Sequence, residues 1–67
     1  MYDVAPLFIK LHSNGYEGIV NVLNINAIVP YNEYKTNIHL NNREEPFCVD
    51  ETYEEVKKKI MYKVLVF

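Results

Sequence analysis

A lone cysteine, Cys48, is the only thiol in this chain, so no internal disulfide can brace the fold, and a reducing, cytoplasmic location is the expectation. The two histidines show no ligand spacing with it, which argues against a zinc site and leaves no metal or other cofactor to nominate. Apolar runs fall short of the ~20 residues of a membrane-spanning helix. Met1 to Pro6 carries Asp3 where a secretory leader would be basic, so neither a span nor a signal peptide is expected. Positive charge is scarce too: 7 basic residues against 9 acidic ones leave a formal net charge of −2. Apart from Lys57-Lys58-Lys59, beside an acidic pair, the basic residues are scattered, whereas a dedicated nucleic-acid footprint needs a concentrated basic face.

Signatures of catalysis are equally thin. Nothing matches a phosphate-binding loop, a dinucleotide fingerprint or a nucleophile elbow. Glu44, Glu45, Asp50, Glu51, Glu54 and Glu55 lie close in sequence, but around a hairpin and a helix start. There they read as solvated groups, those in the first turn complementing the helix dipole, and not as an acid and base pair in a cleft. Cys48, mid-strand beside Phe47, reads as a small buried hydrophobe. No catalytic residue is nominated, and the chain is expected not to be an enzyme.

What is present is a clear alternation of strand and turn signals, followed by one helix. Residues 1–6 read as a loose leader before residues 7–49, an antiparallel sheet. Leu7, Ile9 and Leu11 alternate with Phe8, Lys10 and His12, and Asn14-Gly15 is the strongest short hairpin signal because both residues tolerate positive φ. A second strand, about Glu17 to Leu23, is apolar on both faces: Gly18, Val20 and Val22 on one, Ile19 and Leu23 on the other. That pattern predicts a mid-sheet strand covered on both sides. Asn24 to Ala27 interrupts the pattern, and Ile28 to Tyr31 resumes it, with Pro30 marking an edge or a bulge. Thr36 to Leu40 and Pro46 to Val49 complete the sheet. Thr52 and Glu55 then form a capping box that starts a helix over 52–64. Tyr53, Val56, Ile60, Val64 and Phe67 share one stripe of it, with Glu54–Lys58 and Glu55–Lys59 as i,i+4 pairs opposite. The tail, 61–67, reads either as the end of that helix or as a short strand from Val64 to Phe67. The fold class is α+β: a small antiparallel β-meander of four to five strands with one C-terminal helix packed on it, in a single domain.

A chain of 67 residues hides only roughly 60% of the surface its unfolded form exposes. Without disulfide or metal, association with another chain is the remaining remedy, so a homo-oligomer is expected. Ile19, Leu23, Val64, Val66 and Phe67 are its candidate interface residues. The 6 tyrosines are the other unusual feature. Tyr16, Tyr31 and Tyr34 stand at turns, and together with Phe8, His12 and His39 they are the candidate contacts for a protein partner. Stacking on Phe8, Lys10, His12 and His39 is the alternative, single-stranded nucleic-acid reading.

Phe8-Ile9-Lys10-Leu11, Asn14-Gly15, Asn21 to Asn24, Ala27-Ile28, Ile38-His39-Leu40-Asn41-Asn42 and Val49-Asp50-Glu51-Thr52-Tyr53-Glu54-Glu55-Val56 follow one another in an order that resembles the small FlbD-type family. These are flagellar or swarming-motility proteins, with short bacterial and phage proteins of the same pattern. The resemblance spans roughly Phe8 to Ile60. It implies a β-meander with a C-terminal helix and a flagellar or motility role, and it implies no catalytic residue. Self-assembly with a protein partner, as in a phage-borne accessory protein or an inhibitor of a host factor or defence system, is the leading expectation.

Overall fold

The computed structural model describes residues 7–65, with side chains described as far as residue 62. The leader expected over 1–6, and Val66 and Phe67, lie outside the described residues, as does the side chain of Val64. Five strands, β1 (Phe8–Ser13), β2 (Tyr16–Asn21), β3 (Ile25–Pro30), β4 (Thr36–Leu40) and β5 (Phe47–Val49), precede one helix, α1 (Tyr53–Leu65). The chain is thus a small antiparallel α+β fold with its helix packed on the sheets, α1 lying against both β1 and β3.

The strands divide into two sheets: a β1-β2 hairpin, and a three-stranded meander in the order β3-β4-β5. The hairpin turns at Asn14 (φ 52°) and Gly15 (φ 82°), both left-handed, as a two-residue turn between twisted strands demands. β1 and β5 run side by side across the break, joined where Asp50 N–H donates to the His12 carbonyl (2.7 Å) and Ser13 Oγ donates to the Cys48 carbonyl (2.9 Å).

The second strand departs from the sequence reading. It ends at Asn21, and Val22–Asn24 forms a single 3-10 turn in which the Asn21 side chain accepts the Leu23 N–H (3.0 Å). An asparagine placed there offers the backbone a local partner that competes with the ladder. The turn sends Val22 into the core and Leu23 outward, 68% exposed. Among the described residues β2 pairs with β1 alone, so the strand expected mid-sheet is an edge there, and its second apolar face is open. The third strand begins earlier than expected, at Ile25, and the interruption foreseen near Asn26 is a bulge between Ile25 and Ala27. Pro30 lies on an edge strand, as its missing donor requires.

Ile9 and Leu11 of β1, Val22, Ile38 of β4, Val49 of β5 and Val56 of α1 form the buried cluster, with Leu7, Val20, Ile25, Ile28, Leu40, Phe47 and Ile60 packed around it. Period-two spacing supplies the strand members; Val56 and Ile60, four apart, supply the helix stripe. α1 starts as its sequence announces: Thr52 N–H donates to Glu55 Oε1 (2.9 Å), and Glu55 N–H donates to Thr52 Oγ1 (3.2 Å).

That cap yields two predictions. Thr52→Ala should cost about 1 kcal/mol in urea unfolding, the usual cost of an N-cap hydroxyl. Hydrogen bonds from the Thr52 backbone and then its side chain, with a smaller contribution from the Lys59 charge, hold the Glu55 carboxyl below its ordinary 4.5. A depressed folded value means stability that is complete above about pH 4.5 and is lost as pH falls through the lower folded value. Glu55→Gln should therefore flatten the acid side of the stability–pH curve; an unchanged acid limb would show that the box carries no charge-dependent stability.

Candidate functional site

The hairpin register decides which residues share a surface. Phe8 faces Asn21, Lys10 faces Ile19 and His12 faces Glu17 across the strands, so these six side chains form the face turned away from Ile9 and Leu11. Phe8 is 39% exposed and Ile19 65%, and Leu23 continues this apolar end past the strand. The other end is charged: Glu17 lies 3.6 Å from Lys10 Nζ and 3.7 Å from His12 Nε2. His39 does not join this face. It is half-buried on β4, opposite Ala27 in the other sheet.

Tyr16, Tyr31 and Tyr34 are all strongly exposed. The β3–β4 loop that carries the last two is tied down by Asn32, whose Oδ1 accepts the N–H groups of Tyr34 and Lys35, both at 2.8 Å. The N–H groups of Tyr31 and Asn32 donate in turn to the Lys35 carbonyl (2.9 and 3.2 Å). Tyr31 borders a half-open depression of about 420 Å³, shared with Ser13, Asn14, Lys35, Cys48 and Asp50. Its polar groups are largely committed: Ser13 bonds the Cys48 carbonyl, and Lys35 lies 3.5 Å from Asp50. Cys48 is half-buried here, where the sequence suggested a fully buried thiol.

Glu51 overturns a second expectation. Read as one of several solvated carboxylates, it is only 7% exposed. Its Oε1 accepts the His12 backbone N–H (3.0 Å), and its Oε2 lies 2.6 Å from His12 Nδ1. Its carbonyl accepts the Thr36 hydroxyl (2.9 Å). Lys59 Nζ approaches Oε2 at 3.6 Å and donates to the Lys10 carbonyl at 2.6 Å. The helix ion pairs are therefore not those foreseen: Lys59 turns toward Glu51, and Glu54 pairs with Lys57 at 3.7 Å. Sequence gave one faint sign, an acid placed between the last strand and the capping threonine; its partner His12 is 39 residues away.

A carboxylate on one imidazole nitrogen orients the ring, the arrangement used to poise a general base. Here the other nitrogen faces the Glu17 carboxylate, and among the described residues no hydroxyl or thiol shares a hydrogen bond with the ring. The arrangement instead fastens elements together. No group of three or more His, Cys, Asp or Glu side chains able to hold a metal occurs among the described residues, and no described helix is long and apolar enough to cross a membrane.

No family model, curated protein or solved structure matches the chain.

Glu51→Ala should destabilise the fold by about 2–3 kcal/mol, chiefly because it strands the His12 N–H at the seam; the partly exposed His12 and Lys59 charges add less. Glu51→Gln, which keeps an acceptor, should lose clearly less. Equal losses for the two variants in urea unfolding would show that charge, and not the backbone acceptor, holds the seam.

Proposed function

We propose that this protein is a non-enzymatic interaction module that associates with itself and presents exposed tyrosines to a protein partner. The observation that carries the reading is the hairpin's outer face, where Phe8 and Ile19 remain exposed on one side of a two-stranded sheet, with Leu23 exposed in the turn just beyond it. An exposed apolar group of this kind on so small a fold marks a surface used in contact. Tyr31 and Tyr34, on a loop already fixed by Asn32, supply aromatic area at low entropic cost. A cytoplasmic setting suits the free Cys48 thiol. The motility role of the FlbD-type proteins and an accessory role against a host factor both call for such a surface.

Single-stranded nucleic acid is the weaker reading. Phe8, Lys10 and His12 do share a face, but Glu17 sits against both basic groups and His39 lies in the other sheet. An acidic residue paired with the basic ones opposes the phosphate backbone.

Light scattering across a dilution series tests the proposal. The expected mass at high micromolar concentration exceeds the 7.9 kDa of one chain, falling on dilution, with no salt-dependent binding of an oligonucleotide. A folded particle of single-chain mass throughout would remove the self-association half of the reading.

A further inference from the structure

We infer that two copies of the chain join through the free edge of β2, antiparallel about a two-fold axis at Ile19, into one four-stranded sheet running across both hairpins. This rests on the self-association proposed above and names its surface.

The backbone of β1 fixes which groups of β2 are free. Antiparallel partners alternate between pairs that exchange hydrogen bonds and pairs that do not. The His12 N–H and carbonyl and the Lys10 carbonyl point away from β2, toward Glu51, Asp50 and Lys59. Their cross-strand partners Glu17 and Ile19 therefore turn their own N–H and carbonyl groups to the opposite side, as does the Asn21 N–H, while the Asn21 carbonyl, at the cap of the 3-10 turn, already accepts within that turn. That side faces solvent, and Glu17, Ile19 and Asn21 are all exposed.

The two edges of the fold are treated differently. β3, the outer strand of the other sheet, carries a bulge and ends in Pro30, both devices that discourage strand addition. β2 has neither, nor a lysine, and its register with β1 is unbroken from Tyr16 to Asn21.

A second copy fits this edge better than an arbitrary strand because one of its symmetric registers is favoured. An axis at Gly18 would set two residues without side chains opposite each other and each Glu17 against an Ile19, and an axis at Val20 would shorten the shared stretch. Centred on Ile19, the two isoleucines meet across the axis, and each Glu17 faces the other chain's Asn21. Centred on Glu17, two carboxylates would meet, which is destabilising. Centred on Asn21, the shared stretch shrinks to the strand end. The favoured register also brings the exposed Tyr16 of one copy to the end of the other copy's β2, next to the exposed Leu23.

Cysteine cross-linking on the full chain in a Cys48→Ser background tests the register. Residues paired across an antiparallel, hydrogen-bonded position stand about 5.5 Å apart at Cα, within disulfide range, so Ile19→Cys should give a covalent dimer on mild oxidation. Glu17→Cys should not, because its copies would lie roughly 13 Å apart. Ile19→Pro removes only the outward donor, a position where an edge strand tolerates proline, and should weaken association at least about tenfold with an unchanged circular dichroism spectrum. Cross-linking that is equal at the two positions, or absent from Ile19→Cys, overturns the joint even if Ile19→Pro fails to fold. A wild-type dimer with that outcome leaves self-association standing and sinks only the β2 edge; a wild-type monomer sinks both.

Discussion

The seam between the two sheets is closed by side chains, and Glu51 is the central one. β5 is three residues long, too short to pair along the whole edge of β1, so the outward groups of β1 would be left without partners beside a buried cluster. Glu51 accepts the His12 N–H, Lys59 donates to the Lys10 carbonyl and Ser13 donates to the Cys48 carbonyl. Each such bond is worth only about 1 kcal/mol net, but an unmet buried group costs more than a met one contributes. Through its carbonyl, Glu51 also holds Thr36 of β4, which is fully buried. One residue thus links β1, β4 and the entrance to α1, and no buried side-chain nitrogen or oxygen among the described residues is left without a partner.

The core that this seam encloses is small: Ile9, Leu11, Val22, Ile38, Val49 and Val56. One helix, laid across β1 and β3, can cover only the inner sides of the two sheets. The Asn14-Gly15 turn pins the hairpin register, and with a side-chain period of two that register commits Ile9 and Leu11 inward and Phe8 and Ile19 outward together. The exposed apolar face is therefore built into the same alternation that fills the core. A slip of one residue would exchange the two faces and empty the interior.

The legible parts of this fold were those whose signals are local. Thr52 with Glu55, Asn14 with Gly15 and the alternation through β1 and β4 each complete their structural meaning within a few residues, and each is found where the sequence puts it. Two apolar faces on β2 signalled a strand but misplaced it in the sheet, because alternation cannot distinguish a covered second face from one left open. The break in the sheet was not legible, and the burial of Glu51 left only a faint sign. Both depend on β1 meeting β5 and the helix start, a contact between segments some 39 residues apart, and a carboxylate reads the same in sequence whether water or a distant N–H satisfies it.

The candidate site follows the same division. Tyrosines at turns were readable as exposed, since turn chemistry keeps the chain at the surface, whereas the fate of the two histidines depended on distant neighbours. His12 is drawn into the seam and His39 into a half-buried place on β4, which separates residues that composition alone would group. Among the exposed side chains are large apolar and aromatic ones: Ile19 and Leu23 on the hairpin, Tyr31 and Tyr34 on a loop held by Asn32. Polar groups near them are already occupied by Glu17, Asp50 or backbone carbonyls. The backbone of the tyrosine loop is tied down by the Asn32 side chain, so a contact made there would cost little further loop ordering.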